Sequence, residues 1–386
     1  MLTLDDRAIL QHFVARSAPG DAYLRRARIL LLADEGMPPE RIAAEVGVPV
    51  VQTRNFVRAF QKQGMVVFPV DLFKPPAPFG PEEPLSSAAR QIAQRQLEQI
   101  SFWLPQVLAA ADAAADAASG AVAVHELRKT IRQLRTAIRL FAPYDDTKRL
   151  VSCRRKLRRL MICLADSRDL TVFTAGLAAF SEEDGLSSQE RVAAGELLGY
   201  WQERLATVNV TMCQQASHRR WQKLLDEIAA WAAAVDQRPS QDGAVVAYRT
   251  RHLLPALVYH QVAAVRAFDE LLPTAPLATW HGLRIQLKRL RYLLEFFEPL
   301  LAASATELLK QLKEMLELLG ALNDARVGLA LLADLPADVP GAAAVPLYQA
   351  ALEARVEQYK LEFDPYWRAV NQIAWRQKLA MALVVL

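Results

Sequence analysis

The sequence predicts an all-α fold, on three observations. Alanine and leucine dominate, glycine is sparse at 15 of 386 residues, and 52% of the chain is hydrophobic, the balance of a helix-rich protein. From Ser86 onward, long stretches carry apolar residues three and four apart, the period of a helix with one buried face. Short clusters of Pro, Gly, Asp and Ser separate these stretches, as turns between helices do. At this length there is room for two or three units, each with a core of its own.

Taken in order, residues 21 to 64 read as a run of short helices, giving a first domain over 1–66. The segment FPVDLFKPPAPFGPEEP (68–84) then interrupts any helix, because proline lacks the amide donor and clashes with the preceding turn. It marks a linker over 67–85. From 86 to 386 the chain predicts successive long helices, with breaks at DAASG (116–120), Pro143 to Asp146, SEEDG (181–185), QRPSQDG (237–243), Pro273 to Pro276 and ADLPADVPG (333–341).

This region repeats itself. VHELRKTIRQLRTAIRLFAPY from Val124 lines up with WHGLRIQLKRLRYLLEFFEPL from Trp280, and RRKLRRLMICLADSRDLTV (154–172) with LKQLKEMLELLGALNDARV (309–327). Two halves of similar build follow, about 86–240 and 243–386. On a helix turning about 100° per residue, His125, Arg128, Arg132, Arg135 and Arg139 share a stripe about 80° wide. Leu127, Ile131, Leu134, Ile138 and Phe141 occupy the adjoining face. The second copy puts His281, Arg284, Lys288 and Arg291 at the same offsets, beside Leu283, Leu287, Leu290 and Leu294. No acid interrupts the first stripe, and the next helix adds Arg154, Arg155, Lys156, Arg158 and Arg159. Like charges at helical spacing destabilise a helix, so a pattern made twice points to a bound anion. Forked arginine donors mixed with lysine suit phosphate oxygens. Apart from Tyr292 the rows hold no aromatic residue on which a base would stack, which favours a ligand made of phosphates alone.

Other classes find less support. The net charge of +4 does not by itself require a polyanion. Cys153, Cys163 and Cys213 form neither a CxxC pair nor an even framework. His125 and His281 have no second ligand at i+3 or i+4, so no metal site and no cofactor is expected; His12, His218, His252 and His260 follow no pattern. The opening MLTLDDRAIL lacks the pattern of a secretory signal and the apolar ending LAMALVVL is too short to span a bilayer, so a cytoplasmic protein with no membrane partner is expected. GxxxxGK[ST], GxSxG and HExxH are all missing from the sequence. A binding protein is therefore expected over an enzyme, with an enzyme of polyphosphate or nucleotide metabolism as the remaining alternative.

The twin H-x-x-R-x-x-x-[RK]-x-x-R helices and the LADSRD and LGALND turns resemble the CHAD family, named for conserved histidines in an α-helical domain. The resemblance runs from near Ser86 nearly to the end. It implies two four-helix bundles related by a pseudo-two-fold, with basic helices lining a groove or pore that binds inorganic polyphosphate. The residues it assigns to phosphate are His125, Arg128, Arg132, Arg135, Arg155 and Arg158 in the first half. In the second half they are His281, Arg284, Lys288, Arg291, Lys310 and Lys313. Gln133 departs from the pattern where the second copy keeps Arg289, and Lys129 lies off the stripe. Relatives are sometimes joined to a triphosphatase module marked ExExK, a motif that this sequence does not contain. A location near polyphosphate granules in a bacterial cytoplasm follows from the resemblance; a nucleic-acid-binding regulator that grips a backbone with the same stripes is the alternative.

The segment RARILLLADEGMPPERIAAEVGVPVVQTRNFVRAFQKQG (26–64) is similar to the helix-turn-helix of transposase-like and homeodomain-like bacterial proteins. Ala43 with Gly47 permits an abrupt turn, Val48 and Val57 supply core contacts, and residues near 50–62 form the helix offered to DNA. Gln52, Arg54, Asn55, Arg58 and Lys62 would face it. Pro49, Val50 and Val51 stand where the family carries polar and basic residues. A DNA reader and a small packing unit that no longer binds DNA are therefore both open.

Overall fold

The computed structural model describes residues 22–68, 79–109, 117–144, 147–234, 248–272 and 275–386, with isolated positions before residue 22. The chain divides into two compact units, Met1–Pro76 and Ala77–Leu386. Among the described residues the only β-structure is an isolated bridge between Pro84 and Arg249; every other regular element is helical.

In the first unit α1 spans Ala22–Asp34, α2 Pro39–Val46 and α3 Val50–Gln63. Pro39 opens α2, where its missing amide costs nothing. Gly47 closes it at φ +73°, a left-handed cap that returns its N–H to the carbonyl of Ala43 at 3.0 Å. Val48 and Val57 pack on Ile29, Ile42 and Val46, so the abrupt turn read from Ala43 and Gly47 sits on a small core. A second cluster gathers Ala27, Leu30, Phe60 and Phe68.

The second unit begins with α4 (Leu85–Ala109), α5 (Ala117–Phe141), α6 (Thr147–Cys163), α7 (Ala165–Ser181), α8 (Ser188–Ala216) and α9 (Arg219–Ala233). It continues with α10 (Thr250–Arg266), α11 (Leu277–Phe297), α12 (Ser304–Ala333), α13 (Val345–Asn371) and α14 (Ile373–Leu383). Some starts are written locally. Ser187 and Glu190 form a reciprocal capping box at the head of α8, satisfying two amides that the helix leaves free.

The repeat survives as a pairing of elements. Helix α5 corresponds to α11, α6 and α7 together to the unbroken α12, α8 to α13 and α9 to α14. In the first half α4, α5, α6 and α9 pack as a four-helix bundle; in the second, α10, α11 and α12 pack with α14 and the end of α13. One core nevertheless threads both bundles, joining Leu127, Ile131 and Leu134 of α5 to Leu283, Leu287 and Leu290 of α11. Full burial of such a leucine contributes roughly 1.5–3 kcal/mol, so the basic helices are anchored along their whole apolar edges. A separate core under the far ends of both repeats holds Phe173, Phe180, Leu197, Trp201, Tyr348 and Leu352. The heads of the halves are tied directly, Leu85 N–H to Tyr248 O at 2.8 Å and Thr250 N–H to Glu83 O at 2.9 Å.

One break falls elsewhere than the sequence implied: α5 already includes Ala117 to Gly120, so these four residues are helical and not a turn, and Asp116 lies outside the described residues. The breaks at 181–185 and 333–341 are turns. Most of the proline-rich 67–85 (69–78), the break at 237–243 with the ends of the expected halves, Asp145, Asp146, Pro273 and His12 lie outside the described residues.

Candidate functional site

Packing α5 beside α11 through their leucine edges turns both basic stripes toward one cavity of about 680 Å³. Helix α5 contributes Arg128, Arg132, Arg135 and Arg139, and α6 adds Arg154, Arg155 and Arg158. From α11 come His281, Arg284, Lys288 and Arg289, and from α12 Asn323 and Arg326. Among the lining residues ten are arginine, and Asp169 is the one carboxylate. The rim is exposed at Arg139, Arg155 and Arg158, whereas Arg128, Arg132, Arg284 and Lys288 are partly buried deeper in.

Several guanidiniums are held in place. Arg128 donates through Nη1 to the carbonyl of Leu164 at 2.6 Å and lies 3.8 Å from Asp169, with its side chain only 13% exposed. Leu164 caps the start of α7, and its carbonyl takes the arginine on a second lone pair beside the helix's first bond. The Arg284 guanidinium lies over Gly320, 3.7 Å from where a Cβ would stand. The buried Nε atoms of Arg135, Arg284 and Arg326, all residues of the cavity wall, have no hydrogen-bond partner.

Crowding leaves its mark on titration. Burial, reinforced by Arg132, Arg284 and Arg291, pushes the Lys288 ammonium down to about 5. Burial also lowers Arg128 to about 10, against the pull of Asp169, and lowers Arg284 and Arg135. Burial raises the Asp169 carboxyl against the opposing effect of Arg128. His281 Nδ1 sits 2.7 Å from Asn323 Oδ1, and burial holds the ring below the usual histidine value despite that bond. Among the described residues no group of three or more His, Cys, Asp or Glu could hold a metal ion.

Of the residues singled out in the sequence, Arg128, Arg132, Arg135, Arg155, Arg158, His281, Arg284 and Lys288 line this cavity. Four do not. His125 lies 3.9 Å from Glu126 and its side chain is 51% exposed. Arg291 pairs with Glu295 at 2.9 Å and stacks over Tyr292 at 5.3 Å. Lys310 and Lys313 are exposed, the latter 4.0 Å from Glu317. Conversely, Arg139, Arg154, Arg289 and Arg326 line the cavity without having been assigned to phosphate. The first two continue stripes already visible in sequence; Arg326, one turn beyond Asn323, carried no signal because its counterpart in the first copy is Thr171.

In the first unit Gln52, Arg54, Asn55, Arg58 and Lys62 are all exposed on α3. Arg54 is engaged with Glu40 of α2, and Val51 is 67% exposed at the start of α3. A groove between α1 and α3 holds Gln52 and Asn55 opposite Arg25 and Arg26. Among the described residues no helix is long and apolar enough to cross a membrane.

A family model described as CHAD domain matches residues 91–333, and one described as Homeodomain-like domain matches 22–66. The fold is similar to the crystal structure of the CHAD domain from the plant Ricinus communis, with TM-score 0.61 and 22% identity over 76% of this chain and 94% of that one. It is also similar to PptA from Streptomyces chartreusis, with TM-score 0.56 and 20% identity over 74% of this chain and 100% of that one. No curated protein matches the chain.

Proposed function

The chain belongs to the CHAD domain family, and from that premise we propose that its second unit binds inorganic polyphosphate in the cavity between α5 and α11. One observation carries this reading: ten arginines surround the cavity against a single lining carboxylate, so their mutual repulsion is relieved by a dense row of negative charge. Asp169 is the one carboxylate in the wall and lies against Arg128, and a wall of cations neutralises phosphate without activating water, which favours binding over cleavage. Association with polyphosphate granules in the cell follows from the same affinity.

Titration with long-chain polyphosphate at low salt tests the proposal. Binding is expected, weakening steeply as salt rises because each neutralised phosphate releases counterions. No binding at low salt removes the reading, and release of orthophosphate during incubation would replace binding with catalysis. The exposed polar row on α3 and the homeodomain-like match favour a second ligand, DNA, for the first unit alone. Competition separates the two: duplex DNA displacing polyphosphate at equal phosphate concentration would make nucleic acid the ligand of the cavity itself.

A further inference from the structure

Among the residues lining the cavity are ten arginines and a single lysine, Lys288. The difference is chemical, because a guanidinium keeps its proton while an ammonium gives one up readily once water is withdrawn from it. The repeat sets Lys288 opposite Arg132, so one half of the wall carries a permanent charge where the other carries a charge that can be lost.

The surroundings of Lys288 press it toward that loss. Arg132 of α5 acts on it together with Arg284 and Arg291 of its own helix, and the carboxylate that favours the ammonium is Asp324 of α12. Asp169 of α7 is engaged with Arg128 at 3.8 Å, and α6 turns only arginines among its charged groups toward the cavity. Among the described residues Lys288 itself makes neither an ion pair nor a hydrogen bond. Lysines that lie off the wall are matched: Lys129 of α5 pairs with Glu126 at 2.9 Å and Lys156 of α6 with Glu227 at 2.7 Å.

Two charge states follow from this cluster. In the free protein a proton on Lys288 adds a fourth positive charge to three guanidiniums in a partly buried place, and the ammonium is pushed down to about 5. The amine is then neutral at neutral pH. Phosphate oxygens beside it reverse the balance, because they offset the arginines and accept hydrogen bonds from the charged form.

We propose that Lys288 is a proton-linked phosphate ligand, an amine that takes up one proton when polyphosphate enters the cavity at neutral pH, so that the site holds its ligand more tightly as the surroundings acidify. This rests on the polyphosphate reading and adds a regulation to the same site. The complex carries more protons than the free protein, and linkage is reciprocal, so affinity rises as pH falls. The gain ends near pH 5, where the free protein already carries the charge.

Proton uptake is counted by isothermal titration calorimetry of the full-length protein with long-chain polyphosphate at low salt and about pH 7.5, in buffers of low and high ionisation enthalpy. Long chains keep terminal phosphates, which titrate near neutrality, few. Lys288→Arg makes the charge permanent, as at Arg132, and Lys288→Met removes it; both retain His281, the other base in the wall, so its contribution cancels. Wild type is expected to take up about one proton more per protein molecule than either variant, and its affinity to rise about tenfold more than theirs for each pH unit lost between about 8 and 6. Equal uptake by wild type and variants overturns the proposal, because Lys288 would then hold the same charge with and without phosphate. Should one variant lose its helical circular dichroism, the other carries the comparison. No binding by the wild type at low salt overturns the polyphosphate reading instead.

Discussion

Lys288 shows most plainly what the site asks of a single residue. An ammonium with an ordinary value of 10.5 is held at about 5 by burial and three neighbouring arginines. Unfolding returns it to water, where it takes up a proton at neutral pH, so the unfolded state binds more protons than the folded one between pH 5 and 10.5. The residue therefore destabilises the fold most at the acid end of that window and progressively less as pH rises. Lys288→Met is expected to unfold at higher urea than the wild type. The gap should widen by up to about 1.4 kcal/mol for each pH unit lost between neutrality and the lower limit. Urea titrations at several pH values check this; a pH-independent gap would mean that the lysine stays charged. The same variant should bind polyphosphate more weakly, since it has no proton to take up when phosphate arrives. Arg128→Ala combined with Arg284→Ala removes two charge-assisted donors, each worth about 1.5–3 kcal/mol, so a loss of roughly 100-fold or more in affinity is expected with circular dichroism unchanged. Collapse of the helical signal would make the arginines structural.

Elements carry the duplication unequally. In the second copy α12 runs unbroken from Ser304 to Ala333, whereas the first copy breaks at Leu164 into α6 and α7. LADSRD and LGALND both read as turns, and only the first holds a break, at Leu164, whose carbonyl also accepts from Arg128; LGALND is helical throughout, inside α12. Gly120 misled in the same direction. It reads as a turn residue but costs a helix only about 1 kcal/mol, which the leucine edge of α5 outweighs. Gly341, within the run read as a break, proves to be required. It stands at φ +72° before α13, and a Cβ there would run into the carbonyl of Ala193 and come within 2.6 Å of the amide of Leu197, both backbone of α8. Neither the conformation nor the space admits a side chain. Gly341→Ala is expected to destabilise the second unit by about 3 kcal/mol or more, measured as a fall in the urea midpoint. A loss within experimental error would show that the α12–α13 turn can lift away from α8.

At the scale of the whole molecule, the all-helical fold and its internal repeat were legible because both rest on periodicity, which sequence records directly. Half of the cavity wall was legible for the same reason: Arg128, Arg132 and Arg135 lie on one stripe and Arg284 and Lys288 on its copy. What the alignment could not record is that a two-fold places corresponding residues on opposite sides. Arg155 and Arg158 line the cavity while their counterparts Lys310 and Lys313 do not, and Arg135 does while Arg291 turns to Glu295. Equivalence in sequence was thus a guide to fold and not to the ligand. The first unit offers the complementary test, because its own clusters, around Leu30 and Phe60 and around Ile42, give it a core separate from that beneath the cavity. Arg54 and Arg58 are exposed on α3, and Arg54 is already neutralised by Glu40. Replacing both with alanine is expected to leave polyphosphate affinity within about twofold of wild type while weakening duplex DNA binding and reducing its salt dependence. Fluorescence anisotropy with the two ligands, measured on the same preparations, reads both effects. If polyphosphate binding falls along with DNA binding, the two units share one ligand surface and the cavity between α5 and α11 is not sufficient.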